Sequence, residues 1–378
     1  MTDLKPLIEH PQLNKLLDDI RQRANAFEEQ RHIDKDIIER FKEIGVYRAF
    51  VPKRFGGEER TPSDFLSLIE TISMADGSAG WVASFGMNPF YLGGLPLETI
   101  DKVWADTPDV VFAGAIFPMG PAQVLGDNYV VSGRWKFASG CMGASLIGVG
   151  IKPDKEGELP RMAVVPVDQI KIDETWDMIG MRATGSHDVV ADNVTVPKEW
   201  TFIRGGSLSL TEPLFKYPSL SLATQVLAVT TLGLAREALS IITNEAKGRK
   251  SVTGAPNLGE REYVQIAIGK AEAKVQSCKS FFYQATDDVW ATITAGGEPT
   301  DEQINLLRLS SSHLTHECVE VVHTVYKMMG MTSADNKHSM TRIYRDASLV
   351  GQHAFMGEIT FRNAGAMAFG HSPYPGYL

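Results

Sequence analysis

Two aromatic rings and a hydroxyl recur at alternate positions in GRWKFASGC, residues 133–141 of this 378-residue chain. Trp135, Phe137 and Ser139 have the spacing that places side chains on one face of an extended strand. Such a face either fills a core or forms an apolar wall against a flat ligand, where Ser139 and a turn at Gly140 offer hydrogen bonds. Considered alone, this stretch favours the core interpretation.

A second stretch, GQHAFMGE at 351–358, carries a single imidazole. Because the unperturbed pKa of histidine lies near 6.5, His353 is able to supply or steer a proton at neutral pH. The alternative is a helix-packing histidine bonded to a carbonyl. Phe355 and Met356 follow it, either as walls of a substrate pocket or as core residues.

The third stretch, FGMNPFYLGG at 85–94, places an amide among apolar side chains. Asn88 donates and accepts hydrogen bonds but is no base near pH 7. It is therefore able to hydrogen-bond a substrate but not to deprotonate it. Phe90 and Tyr91 are candidate pocket walls, with core packing as the alternative.

The elements that must position these residues fall into three predicted domains. Residues 1–108 show the apolar spacing of amphipathic helices. Residues 109–212 change to short runs rich in Val and Ile, punctuated by Gly, Pro and Asp, which predict a compact β domain. Residues 213–378 return to long helical patterns, of which 339–370 is the fourth and last, and predict a bundle. The predicted class is α+β.

Composition excludes several classes of protein. The net charge is −9 and no block of Lys and Arg stands out, so nucleic acid is not an expected partner. The N-terminus lacks a signal-like apolar region and no apolar run is long enough to span a membrane, which predicts a soluble cytoplasmic protein. His313, His316 and His323 share a helix face without a carboxylate pair, so we expect no metal site.

Local motifs, in this helix–strand–helix order, resemble those of the acyl-CoA dehydrogenase superfamily over nearly the whole chain. GDNYVVSGRWKFASG at 126–140 resembles a family strand pair. WDMIGMRATGSHDVVADNVTVPKEW at 176–200 resembles the family's glycine–arginine segment and the strand that follows it. RIYRDASLV at 342–350 is similar to the family's R-x-yRDarv segment. The resemblance implies an N-terminal helical domain, a central β-barrel or sandwich and a C-terminal four-helix bundle. It also implies tetramers built as dimers of dimers.

The resemblance further implies a flavin between the β domain and the bundle. In such folds the segment from Trp135 to Gly140, with Phe137 and Ser139 in it, lies along the flavin ring, and the hydroxyl reaches toward N5. Arg249 matches an arginine that reaches the flavin phosphate across a subunit interface, although it is otherwise one basic residue among several.

Position 354 separates two activities within that superfamily. Aligning Asp346 with the family aspartate puts Ala354 where the commonest dehydrogenases carry their glutamate base, and alanine accepts no proton. Glu358, four residues later and one helical turn along, keeps a dehydrogenase with a displaced base as an alternative. A degenerate flavin-binding scaffold without chemistry is a third hypothesis.

The motifs WKFASGC and GQHAF instead resemble the reduced-flavin-dependent two-component monooxygenases. This branch implies a separate reductase that supplies FADH2 or FMNH2, and O2 that adds at flavin C4a to give a hydroperoxide whose distal oxygen passes to an aromatic substrate. Ser139 would hold the adduct and His353 would supply or steer the proton. The leading hypothesis is therefore an oxygenase component that hydroxylates a small aromatic. Many relatives carry a histidine at the position of Asn88, and an amide suits a substrate with an N–H better than a phenol that benefits from deprotonation, so an indole is preferred over a phenol.

Overall fold

The computed structural model describes residues 5–152, 159–247 and 256–378. Arg249, the predicted phosphate-binding residue, lies outside the described residues. The chain divides into two compact units, which we call the β-containing unit and the helical unit. The first comprises Met1–Phe65, Val82–Met178 and Arg182–Leu220, and the second comprises Leu66–Trp81, Ile179–Met181 and Ser221–Leu378.

Short helices dominate the chain before the strands. They are α1 (Leu13–Gln30), α2 (Lys35–Glu43), α3 (Pro62–Ala75), α4 (Gly77–Ala83), α5 (Pro89–Leu92) and α6 (Leu97–Val103). In α1 the side chains of Leu13, Leu16, Leu17 and Ile20 are all buried, because they recur on one face of the helix. The apolar period read from the sequence is therefore confirmed here.

Within the described residues, the middle of the chain forms two four-stranded sheets. Their strands are β1 (Phe112–Gly120), β2 (Ala122–Leu125), β3 (Asn128–Ala138), β4 (Leu146–Ile151), β5 (Arg161–Pro166), β6 (Lys171–Asp173), β7 (His187–Pro197) and β8 (Thr201–Ile203). One sheet has the order β1-β4-β5-β8 and the other β2-β3-β7-β6. The β1–β4 pair is parallel and the other pairs are antiparallel.

The Trp135 indole fills the interior of this β region. Its ring is fully buried, and its Nε1 donates to the carbonyl oxygen of Gly150 at 2.7 Å. A Cβ added to Gly120 or Gly133 would lie 2.4 or 2.8 Å from the ring, so both glycines leave room for it. A fully buried indole offers no surface to a bound cofactor, and the prediction that Trp135 contacts flavin is wrong.

Long helices follow the strands. They are α7 (Ser219–Glu245), α8 (Glu262–Thr294), α9 (Asp301–Met329), α10 (Ser339–Val350) and α11 (Ile359–Ala368). By length and composition α7 would be able to cross a membrane, but 72% of its most apolar window is buried inside the protein. It is therefore a core helix of the helical unit.

The predicted fourth helix, 339–370, is interrupted. After α10 ends, residues Ala354–Met356 form a short 3-10 helix, and Gly357 has the extended dihedral angles φ −70° and ψ 162° before α11 begins. Glu358 therefore does not lie one helical turn beyond Ala354, and the expectation that it continues that helix is wrong. Helices, strands and helices follow in the predicted order, while the limits of three separate domains remain a prediction.

Candidate active site

A residue in the left-handed conformation lies near the end of β3 and changes the direction in which the side chains of this strand point. Phe137 has φ +66°, and the register with β7 shifts between Trp135 and Ala138. Alternation is lost at such a bulge, so Phe137 points outward with 57% of its surface exposed while Trp135 points inward. The prediction that both rings share one face is wrong. Phe137 instead meets the ring of Trp176 edge-on, with centroids 6.0 Å apart.

The turn that follows, residues 137–140, is called the Ser139 turn. The Ser139 amide donates to the carbonyl of Phe137 at 2.9 Å, and the Gly140 amide donates to the carbonyl of Thr184 at 2.8 Å. Gly140 has φ +75°, a conformation that costs glycine little. These backbone bonds fix the turn.

Three hydroxyls form a chain behind this turn. The Oγ atoms of Ser139 and Ser186 are 2.6 Å apart, and so are Ser186 Oγ and Thr184 Oγ1. All three residues are buried, although Ser139 retains 9% exposure. Because each hydroxyl both donates and accepts, the chain holds the Ser139 oxygen in place without charge.

A second feature of the β-containing unit is an apolar cavity of about 150 Å³, called the aromatic cavity. Its walls are Phe85, Tyr91, Phe112, Gly114, Ala115, Ile116, Met162, Phe202 and Arg204. Phe85 also faces the Ser139 turn, since a Cβ added to Gly140 would lie 3.6 Å from the Phe85 ring. The cavity therefore adjoins the predicted flavin-facing turn.

Sheet register assembles this cavity from distant segments. Met162 of β5 pairs directly with Phe202 of β8, and Arg204 follows two positions later on the same face. Gly148 of β4 lets Phe112 and Met162 pack closely over the strand, because a Cβ at this position would lie 2.5 Å from the ring of Phe112 and 3.0 Å from Met162. Sequence reasoning missed Phe112, Met162, Phe202 and Arg204; the apolar run of β5 was visible, but its pairing with β8 was not.

The predicted substrate residues of the 85–94 stretch separate into wall and core. Tyr91 lines the aromatic cavity. Phe90 is 2% exposed and packs against Phe50 and Phe215, so its prediction as a pocket wall is wrong. Asn88 is 1% exposed and its Nδ2 donates to the carbonyl of Val110 at 2.9 Å, so its side chain braces the backbone that leads into β1 instead of facing the cavity.

Residues 353–358 of the helical unit are called the His353 segment. His353 precedes the 3-10 helix as its N-cap, and its Nδ1 accepts a hydrogen bond from the Phe355 amide at 3.3 Å. That bond assigns the ring proton to Nε2 in the neutral form. Burial lowers the pKa of His353 below its usual value of 6.5, because desolvation disfavours the charged ring.

Aromatic contacts hold this imidazole in orientation. Its ring meets Trp81 with centroids 5.7 Å apart and Phe355 with centroids 4.9 Å apart, both edge-on. Within the described part of the chain, His353 Nε2 has no hydrogen-bond partner. The neutral ring therefore keeps an N–H that it is able to donate.

The other predicted residues of this segment differ in accessibility. Phe355 is half-buried, whereas Met356 is fully buried and its prediction as a pocket wall is wrong. Ala354 and Glu358 are exposed. That position 354 is where a dehydrogenase would carry its base remains a prediction.

The side chains of the Ser139 turn fit a flavin. A flavin ring is flat and apolar with hydrogen-bonding groups along one edge, and the turn pairs an exposed phenyl ring at Phe137 with a fixed hydroxyl at Ser139. No cluster of three potential metal ligands occurs among residues 5–152, 159–247 and 256–378. His316 and His323 instead hydrogen-bond to the Met356 carbonyl and the Ser348 hydroxyl.

Comparison with known proteins places the fold. Residues 15–95 match the family "Acyl-CoA dehydrogenase, N-terminal domain", and residues 225–358 match "Acyl-CoA dehydrogenase, C-terminal domain". The crystal structure of 3-HSA hydroxylase from Rhodococcus sp. RHA1 superposes with a TM-score of 0.91 at 25% identity and covers 100% of both chains. The predicted α+β fold of the superfamily is confirmed.

Two relatives place the chain within that fold. Indole-3-acetate monooxygenase of Pseudomonas putida is 51% identical over 97% of this chain and 96% of its own length. The FADH(2)-dependent resorcinol hydroxylase, oxygenase component, of a Rhizobium species is 29% identical over 89% of this chain and 87% of its own. The chain therefore belongs to the acyl-CoA dehydrogenase superfamily and, within it, to the flavin-dependent monooxygenases that act with reduced flavin on aromatic substrates.

Proposed function

We propose that this protein is the oxygenase component of a two-component system and hydroxylates indole-3-acetate or a close indole acid. The observation that carries the proposal is the 51% identity to the Pseudomonas putida enzyme over nearly the whole of both chains. The aromatic cavity supports it, because an apolar cavity of about 150 Å³ suits a small aromatic ring. The buried position of Asn88 removes that residue as the reason for preferring an indole.

Ser139, Gly140 and Phe137 hold the flavin in this proposal. When bound, reduced flavin supplies the two electrons that activate O2. The Ser139 hydroxyl, fixed by Ser186, offers a neutral hydrogen bond at the polar edge of the ring. Phe137 covers the ring with apolar surface and excludes water, which favours transfer of oxygen to substrate over its loss as hydrogen peroxide.

His353 moves the proton in this proposal. Hydroxylation releases one oxygen atom of O2 as water, and that oxygen must be protonated. The neutral imidazole donates a hydrogen bond from Nε2 that steers a proton to that oxygen, and the proton itself comes from solvent. Phe355, half-buried against the imidazole, would complete the apolar surroundings.

The partners follow from this chemistry. A separate flavin reductase supplies reduced FAD or FMN, and O2 is the second substrate. We further propose a homotetramer in the cytoplasm, with Arg249 reaching the flavin phosphate from a neighbouring subunit. Sedimentation of the purified protein with and without FAD tests the tetramer. A loss of affinity for FAD in Arg249→Ala tests the phosphate contact.

Isotope labelling tests the reaction. The purified protein is supplied with a flavin reductase, NADH, FAD or FMN, and indole-3-acetate under ¹⁸O2, with phenol and a medium-chain acyl-CoA as comparison substrates. We expect a product of indole-3-acetate that gains one labelled oxygen, and far less product from phenol. Oxidation of the acyl-CoA without any labelled indole product would refute the proposal in favour of a dehydrogenase. Absence of both reactions would favour a scaffold.

A further inference from the structure

The aromatic cavity contains one charged side chain among its nine lining residues. That side chain is Arg204; the others are aromatic, aliphatic or glycine. We propose that Arg204 binds the carboxylate of an aromatic acid whose ring occupies the aromatic cavity, an inference that rests on the proposed function. The cavity would then select acids over neutral aromatics of the same shape.

Arg204 is held in place by its neighbours. Its amide donates to the carbonyl of Pro160 at 2.8 Å, which continues the β5–β8 pairing by one residue. Its guanidinium Cζ lies 4.4 Å from the centre of the Tyr91 ring. Stacking on a ring engages the flat face of a guanidinium and leaves its N–H edge free to form the two parallel bonds that a carboxylate accepts.

Arg204 has no acidic partner within the ranges that the structure describes. Arg54 of the same unit gives the contrast, because it also stacks on an aromatic ring, Phe55, but pairs with Glu212 at 3.2 Å. A guanidinium bordering an apolar cavity without a carboxylate is complementary to an incoming anion. Since the whole chain has a net charge of −9, this local cation also offsets the repulsion of an acidic substrate.

The cavity's size limits the ligand. An apolar cavity of about 150 Å³ in another protein takes up benzene, and the aromatic cavity has a comparable volume of about 150 Å³. A small aromatic ring fits, with its acidic side chain directed to the rim where Arg204 lies. The ligand class is therefore a small aryl or indolyl acid with one or two carbons between ring and carboxylate.

Paired ligands test the role of Arg204. Indole-3-acetate and indole-3-acetamide have nearly the same shape and differ in charge. Their dissociation constants are measured by calorimetry, anaerobically with reduced flavin, for wild type, Arg204→Met, Arg204→Lys and the control Arg54→Met. We expect Arg204→Met to weaken the acid about ten- to hundredfold, as loss of a charged hydrogen bond predicts, and the amide less than twofold.

One conservative variant and one control variant complete the test. Arg204→Lys keeps the charge but loses the bidentate geometry, so we expect an intermediate loss for the acid, and Arg54→Met should leave both constants unchanged. Equal weakening of acid and amide, or an unchanged acid, would overturn the inference. If Arg204→Met does not fold, the acid-to-amide ratio of Arg204→Lys decides. Wild type that turns over no indole at all would instead refute the proposed function.

Discussion

The Ser139 turn and the His353 segment carry the two proposed catalytic side chains in opposite states of hydrogen bonding. In the turn, the Ser139 hydroxyl is bonded to Ser186 and the backbone amides of residues 139 and 140 are both paired. In the segment, His353 accepts one bond at Nδ1 and keeps a free Nε2 within the described chain. A closed network fixes an atom in place, whereas an open N–H is able to donate a hydrogen bond to a reacting oxygen and steer a proton to it. The comparison assigns positioning to one region and proton transfer to the other.

The strand that leads into the turn carries a second pair of side chains with different roles, because Trp135 is buried and Phe137 is exposed. We expect Trp135→Ala to lower the free energy of unfolding by about 3–5 kcal/mol, as loss of a buried tryptophan does. Phe137→Ala should change it by less than about 0.5 kcal/mol, because the ring is exposed, yet weaken reduced-flavin binding. Denaturant unfolding and anaerobic flavin titration measure the two effects. Weaker flavin binding in a folded Trp135→Phe protein, with Phe137→Ala unaffected, would reverse our assignment of the two rings.

Removal of the imidazole tests the proton-transfer side of the comparison. We expect His353→Ala to lower the hydroxylation rate about a hundredfold, the lower end of the range for a side chain that assists proton transfer, with reduced-flavin binding within twofold of wild type. Single-turnover product formation and flavin titration provide the two readouts. His313→Ala, on α9, is the matched control and should leave both unchanged. Equal losses of turnover and flavin affinity in His353→Ala would indicate a structural role.

Removal of the hydroxyl tests the positioning side. Ser139→Ala should lower the yield of hydroxylated product per reduced flavin oxidised about two- to tenfold, the value of one neutral hydrogen bond, with hydrogen peroxide rising in proportion. Ser186→Ala keeps the Ser139 oxygen but removes its partner, so we expect a smaller loss. The two yields are compared under identical oxygen and substrate. A larger effect of Ser186→Ala would place the important contact at Ser186.

The acid limb of the pH profile provides the smallest effect. Because burial lowers the pKa of His353 below 6.5, its neutral form predominates above that pH, and we expect single-turnover rates at pH 7 and 8 to agree within about twofold. The rate should fall only at lower pH, with an inflection below 6.5, if the neutral ring is required. His353→Gln should lose this inflection. A wild-type inflection above pH 6.5 contradicts a neutral, buried imidazole.

The same burial couples folding to pH. Desolvation lowers the pKa of His187 and His323 as well as that of His353. The unfolded chain therefore binds more protons than the folded chain just below pH 6.5, and stability decreases as the pH falls through that range. Unfolding has to be compared at one pH above 6.5 when variants of these residues are ranked.

Much of the site was predictable because it depends on local sequence. Ser139 and Gly140 form a turn and Tyr91 lines a cavity, as short motifs indicated. The assignment of Ala354 to the position of the missing base remains a prediction. The superfamily was recognisable for the same reason. Several motifs in a fixed order are a stronger signal than any one of them.

The sequence predictions that were wrong have a common physical cause. Phe90 and Met356 are as apolar as true pocket walls, and only the packing of neighbouring elements buries them. Trp135 and Phe137 alternate in sequence, but one left-handed residue reverses the direction of the second ring. Asn88 has the chemistry of a substrate contact, yet its Nδ2 donates to the backbone carbonyl of Val110.

The amino-acid sequence by itself determined the class of fold, the order of its elements and the chemical character of the Ser139 turn and the His353 segment, because these properties depend on neighbours along the chain. The tertiary structure alone decided which rings are exposed and that Arg204 borders the aromatic cavity. Phe85, Phe112, Met162 and Arg204 come from separate elements, and only strand pairing and close packing bring such distant side chains to one surface.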